Sequence, residues 1–141
     1  MAFTRKDFLR TSALASLSSL VLKEASTQSR LSTNNSPIIK PKALQRGDTL
    51  GLVAPASPIY DPDDFDKMMV DLMNLGFKLK LGKHVRNQRG YLAGTDKHRA
   101  EDLMNMFKDP DVDGVMCVRG GWGCNRTLPH VDFNVIRNNP K

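Results

Sequence analysis

Between Thr49 and Val118 the chain keeps switching its hydrophobic period, and that alternation leaves few folds open. Thr49-Leu50-Gly51-Leu52-Val53-Ala54 is a short apolar run stopped by Pro55-Ala56-Ser57-Pro58, which suits a buried strand. Asp61 then offers a helix N-cap, with Pro62 at the first helical position. Phe65, Met68, Met69 and Leu72 follow at i, i+3, i+4 and i+7. That is one apolar stripe of a helix, and Gly76 supplies its stop. Phe77-Lys78-Leu79-Lys80-Leu81 alternates with period two, as expected of a strand with one wetter face near a sheet edge. After a basic loop, Thr95 or Asp96 caps a second helix with Ala100, Leu103, Met104 and Phe107 on one face, ended by Asp109-Pro110. Val115 to Val118 is the third strand. Strand, helix, strand, helix, strand predicts an α/β fold, a parallel sheet with helices packed on it. Met68, Met69, Met104 and Met106 read as core filling, not as a metal site.

The chain has 141 residues, room for one domain with a modest core. Its net charge of +6 suits an anionic small substrate or a polyanionic surface. No run of Lys and Arg with interleaved aromatics supports a nucleic-acid role. No segment reaches the roughly 18 apolar residues of a membrane span.

Residues 1–29 read as an export address. Thr4-Arg5-Lys6-Asp7-Phe8-Leu9-Arg10 precedes a mildly apolar, small-residue stretch from Thr11 to Leu22, the order of a positive n-region and an h-region. The heptad resembles the twin-arginine export signal, with Lys6 in place of the second arginine. Export predicts a periplasmic or cell-surface location. A plain amphipathic helix is the other reading, and a signal that does not work leaves the protein cytoplasmic. Residues 30–41 are polar and broken by Pro37 and Pro41, the composition of a linker. The globular part is expected at 42–141.

The chemistry concentrates at Arg119-Gly120-Gly121-Trp122-Gly123-Cys124. Glycines just past the carboxyl end of a strand let backbone approach a ligand and aim N–H groups at it. In open α/β sheets ligands sit in that crevice. Gly120, Gly121 and Gly123 suit either an anion or oxyanion cradle or a tight turn out of a strand. Arg119 suits a substrate carboxylate or a neighbouring acid. Cys124 at a helix start would have a lowered thiol pKa, but as a nucleophile it needs a base, and only His84, His98 and His130 are available. Cys117, inside the apolar strand, is expected to be a buried core thiol, and the two cysteines make a poor disulfide pair. The histidines show no metal-ligand spacing with either cysteine. Asp61, Asp63, Asp64 and Asp66 read as helix N-terminal acids favouring the macrodipole, since a calcium loop would need its glycine and terminal Glu. The loop lacks G-x-G-x-x-G spacing and a Walker lysine, which disfavours nucleotide binding.

These segments together resemble the LD-carboxypeptidases of serine-peptidase family S66. The resemblance runs through Pro41 to Thr49, Leu52 to Ser57, Gly76-Phe77, Tyr91 to Asp96, Arg99-Ala100-Glu101-Asp102-Leu103 and Asp109-Pro110. It continues through Arg119 to Gly123 and Arg126-Thr127-Leu128-Pro129 and closes at Asn139-Pro140-Lys141. It implies an N-terminal α/β domain resembling class I glutamine amidotransferases, followed by a C-terminal domain. It further implies cleavage of an amide between an L- and a D-amino acid, typically in peptidoglycan peptides, and in some relatives of other peptide-like amides, a peptide–nucleotide antibiotic among them. The implied machinery is a Ser-Glu-His triad with no metal and no cofactor, and family members that dimerise.

In that family the nucleophile sits in a Gly-aromatic-Ser-Asp turn a few residues after the Asn-Pro-Lys segment. None of the triad can be assigned to a residue here, so no catalytic residue is expected. Gly120, Gly121, Trp122 and Gly123 match the Gly-Gly-aromatic-Gly segment beside the active site, with Trp122 in place of the more usual tyrosine. They are expected to serve substrate or oxyanion binding. Two functions follow: an N-terminal fragment of a serine-type LD-carboxypeptidase, itself inactive, or a stand-alone non-catalytic module that binds peptidoglycan peptides.

Overall fold

A computed structural model describes residues 38–141. The expected export signal at 1–29 and most of the expected linker lie outside the described residues. Residues 38–41 are exposed and without regular structure.

Three parallel strands form the sheet: β1 (Thr49–Val53), β2 (Lys78–Leu81) and β3 (Gly114–Cys117), in the order β2-β1-β3. Leu50 faces Leu79 on one side and Gly114 on the other, and Leu52 faces Leu81 and Met116. Helix α1 (Pro62–Asn74) links β1 to β2, and helix α2 (Asp96–Lys108) links β2 to β3. A 3-10 helix (Cys124–His130) and the short α3 (Phe133–Asn138) follow β3.

Period two along β1 sorts the core into two layers. Leu50 and Leu52 pack with Leu72 of α1, together with Met68 and Met69. The alternate residues turn to α2, where Val53 packs with Met106 and Val112. Gly51 lies on that second face, and a β-carbon there would sit 2.7 Å from Met106 Sδ and 3.1 Å from Val112 Cγ1, so these side chains pack directly on its bare backbone. The helices thus cover opposite faces of the sheet, as right-handed crossovers in opposite directions require.

The local signals act as expected at most element ends. Asp61 caps α1 by accepting from the Asp63 N–H at 2.9 Å, with Pro62 first in the helix. Gly76 has φ +98° and donates to Met73, while Phe77 donates back to Leu72, the paired bonds of a Schellman stop. Thr95, rather than Asp96, caps α2, accepting from the His98 N–H. The methionines are core filling: Met104 and Met106 are buried, and Met68 and Met69 pack against the α1-side clusters.

Two expectations are corrected. On α2, Ala100 and Met104 are buried, but Leu103 and Phe107 are only half-buried, and Arg99, Asp102 and Met106 are buried instead. The helix is covered on two sides, by the sheet and by the 3-10 helix with α3, so a single apolar stripe does not describe it. Cys117, expected inside the core, is exposed. It ends an edge strand, and among the described residues no strand covers its far side.

Candidate functional site

The chain leaves β1 toward α1 on one face of the sheet and leaves β3 toward the elements that pack on α2 on the other. Adjacent strands whose exits diverge to opposite faces open a crevice at their carboxyl ends. Pro55 to Pro58 form one lip of it and Arg119 to Gly123 the other.

The glycines are used for their backbone. Gly121 and Gly123 have φ +131° and +102°, a region L side chains rarely adopt. A β-carbon on Gly121 would lie 3.2 Å from Ser57 Oγ, so the two lips meet there. A β-carbon on Gly123 would lie 2.6 Å from Leu92 Cδ2. Trp122, between them, is 89% exposed. The segment Leu92 to Asp96 lies close behind: Ala93, fully buried, donates to the Ala56 carbonyl at 2.8 Å.

At the back of the loop sits a buried charge. Arg99, in the first turn of α2, is 1% exposed. Its guanidinium donates to the Pro55 carbonyl, to the Gly123 carbonyl at 2.9 Å and to Asp96 Oδ1. Arg126 donates to Asp96 Oδ2 from Nε and Nη2 at 3.2 and 3.0 Å. Desolvation alone would raise the Asp96 pKa, but Arg126 and Arg99 outweigh it and hold the carboxyl below its usual range. Asp96 stays ionised between two guanidinium groups, with both oxygens engaged.

The remaining candidates separate from this cluster. Arg119 lies over the Tyr60 ring at 5.7 Å and pairs with no carboxylate among the described residues. Cys124 opens the 3-10 helix half-buried, but no hydrogen bond joins it to a histidine among the described residues. His84 and His98 stack on each other at 4.1 Å instead, and His84 Nε2 is 3.6 Å from Glu101. His130 is exposed at the end of the 3-10 helix. Partial loss of water pushes the Cys117 thiol pKa up, opposite to what a nucleophile needs. Asp63 and Asp64 stand in the first turn of α1, and Asp66 pairs with Arg86 at 2.6 Å.

The structure therefore gathers Gly121, Trp122 and Gly123 into one lip, with Ser57 facing it from the other lip and Arg99 behind both. Neither of those two is picked out by spacing or periodicity. The available signal is that both lie inside segments carrying the family resemblance.

Comparison with known proteins gives these contacts a context. Residues 50–141 match the family model for the LD-carboxypeptidase N-terminal domain, Peptidase S66. A probable murein peptide carboxypeptidase of Bacillus subtilis is 50% identical over 102 residues, covering 72% of this chain and 32% of its own. A murein tetrapeptide carboxypeptidase of Pseudomonas aeruginosa is 43% identical over 88 residues, covering 62% of this chain and 28% of its own. Among solved structures, the microcin C7 self immunity protein MccF in complex with aspartyl sulfamoyl adenosine shares the fold. It has a TM-score of 0.70 and 31% identity over 74% of this chain and 32% of that one. The chain spans about a third of the length of the relatives it matches. By its sequence from Leu50 to Lys141 and by its fold, the chain belongs to the LD-carboxypeptidase family, peptidase S66.

Proposed function

We propose that residues 42–141 form the substrate-side part of a serine-type LD-carboxypeptidase that cleaves L,D-amide bonds in murein peptides. One observation carries this reading: the glycine lip, Gly120 to Gly123, stands at the carboxyl end of β3 against Ser57 at the exit of β1. Backbone N–H groups on such a lip suit an amide carbonyl or the oxyanion formed from it. Identity of 50% to a probable murein peptide carboxypeptidase and 43% to a murein tetrapeptide carboxypeptidase, against 33% to MccF, favours a murein peptide over an aminoacyl nucleotide. The sheet order β2-β1-β3 with helices on both faces supports the glutamine amidotransferase-like class.

In the implied mechanism a serine attacks the carbonyl, a histidine carries its proton to the leaving D-amino acid, and the lip holds the oxyanion. No Gly-aromatic-Ser-Asp turn occurs in the 141 residues, so these residues supply binding and not attack. The 141-residue chain mixed with murein tetrapeptide is expected to release no D-alanine, and NMR titration is expected to shift the Gly120 to Gly123 amides. D-alanine release that Cys124→Ala abolishes would replace this reading with thiol chemistry. Shifts confined to other surfaces would remove the lip from the site. Reading the coding DNA past codon 141 separates the two forms of the proposal. An in-frame Gly-aromatic-Ser-Asp nearby supports an enzyme part, and a stop codon supports a stand-alone peptide-binding module. Residues 1–29 carry the twin-arginine-like pattern, which supports export to the peptidoglycan layer; a reporter fused after residue 41 and assayed in the periplasm tests it.

A further inference from the structure

We infer that Arg99 is the positioning residue of the glycine lip, clamping it to the exit of β1. The functional meaning of this rests on the lip being the substrate-side wall. The clamp itself rests on geometry. Gly120, Gly121 and Trp122 are exposed and bring almost no packing of their own. Glycine backbone loses the most conformational freedom on ordering, so such a lip needs an external hold. Among the described residues, the hydrogen bonds of the segment Arg119 to Gly123 converge on one atom, the Gly123 carbonyl oxygen. It accepts from Arg99 and, locally, from the Arg126 N–H at 3.1 Å.

The same Arg99 nitrogen donates to the Pro55 carbonyl. Pro55 follows β1 and Gly123 follows β3, so one planar group fixes the spacing of the two lips. A guanidinium with 1% exposure is expensive to bury unless it is paired; both terminal nitrogens of Arg99 are engaged, while its Nε has no partner among the described residues. Asp96 neutralises it, and Arg126 holds the other oxygen of Asp96 from the 3-10 helix. A lysine ammonium has donors for the two carbonyls but no second, coplanar nitrogen for Asp96, so the fork that fixes the direction of the Arg99 bonds is lost.

Trp122 is the one tryptophan of the chain, so its fluorescence reports the lip alone. The experiment measures time-resolved Trp122 anisotropy in the 141-residue chain and in Arg99→Lys, Arg99→Met, Asp96→Asn and Arg126→Met. Asp61→Ala, which removes the cap of α1, serves as a control for lost stability. Clamping predicts that the fast, local component at least doubles in both Arg99 variants while far-UV circular dichroism keeps its helical signal. Smaller rises are expected in Asp96→Asn and Arg126→Met, and none in Asp61→Ala. Arg99→Lys indistinguishable from the parent chain would overturn the clamp, since charge alone would then suffice. Where the Arg99 variants do not fold, unchanged anisotropy in both Asp96→Asn and Arg126→Met overturns it, and a rise in both supports it.

A parallel titration with murein tetrapeptide separates this inference from the functional reading. Binding by the parent chain that weakens tenfold or more in Asp96→Asn supports both. A loosened Trp122 with no binding by the parent chain keeps the clamp and removes the murein reading. Unchanged anisotropy removes the clamp whatever the peptide does.

Discussion

Helices α1 and α2 are each 13 residues long, start from a side-chain cap and cover opposite faces of one sheet, yet they bury different chemistry. The buried residues of α1 are Phe65 and Leu72, which are apolar. Those of α2 include Arg99 and Asp102 beside Ala100, Met104 and Met106. The apolar helix holds the sheet together and needs no geometric precision beyond packing. The mixed helix carries donors and acceptors that must meet fixed partners, and for Arg99 those partners are loop carbonyls at the crevice. Buried polarity on α2 therefore marks the side of the domain where position matters.

The largest expected effect falls on α1. Phe65 is 2% exposed and packs with Ala54, Val85 and Ala93. Phe65→Ala should remove about 3–5 kcal/mol of stability in urea denaturation. Trp122 anisotropy in the molecules that remain folded should not change. A loosened Trp122 there would break the contrast, because the lip would then depend on general packing.

Next in size is Gly123→Ala. The new β-carbon meets Leu92 at 2.6 Å from a backbone with φ +102°, and strain of this kind costs on the order of 1–3 kcal/mol. The Gly123 carbonyl must shift, so the bond from Arg99 weakens and Trp122 loosens. A parent-like melting temperature together with parent-like anisotropy would refute a fixed lip.

The caps give a smaller and sharper comparison. Thr95→Ala should cost about 1 kcal/mol, read by thermal melting, and Asp61→Ala should cause a comparable loss. Only Thr95→Ala should raise Trp122 mobility, because Asp96 and Arg99 sit in the turn that Thr95 caps. Equal mobility in the two variants would mean that α2 has no special hold on the lip.

The contrast between the helices also explains what the sequence made legible. Asp61-Pro62 and Gly76 bound α1 unambiguously, because capping and a positive φ are local demands met by local residues. The stripe Phe65, Met68, Met69, Leu72 pointed to a real face, since α1 packs chiefly against the sheet. On α2 the same reasoning chose Leu103 and Phe107 and passed over Arg99 and Asp102. Burial of Arg99 depends on carbonyls 44 and 24 residues away, and apolar periodicity has no access to such partners. Gly120 to Gly123 stood out by composition, whereas Ser57 did not, because its proximity to Gly121 is created by the pairing of β1 with β3. Cys117 was misread for a related reason: an apolar run reports strand character but not whether a neighbour covers its last residue.

The smallest effect at neutral pH should come from Asp102→Asn, and its dependence on pH is the most specific of the set. Asp102 is 2% exposed and accepts from the His84 backbone N–H at 2.8 Å, while its Oδ1 has no partner. Burial raises its pKa. The His84 N–H opposes the shift without cancelling it, and nearby Glu101 adds to it. A carboxyl with a raised folded-state pKa binds its proton more tightly folded than unfolded. Its contribution is most favourable below the unfolded value of about 3.9 and is lost as pH rises through the folded value. Above the folded value the ionised Asp102 is therefore a cost, and asparagine removes the charge while retaining an acceptor for His84. Stability of the parent chain relative to Asp102→Asn, from denaturant unfolding in steps from pH 7 down to pH 4, should improve as the pH falls through the folded value toward the unfolded one. A difference independent of pH would mean that the backbone N–H groups of His84 and Lys83 offset the desolvation of Asp102 in full.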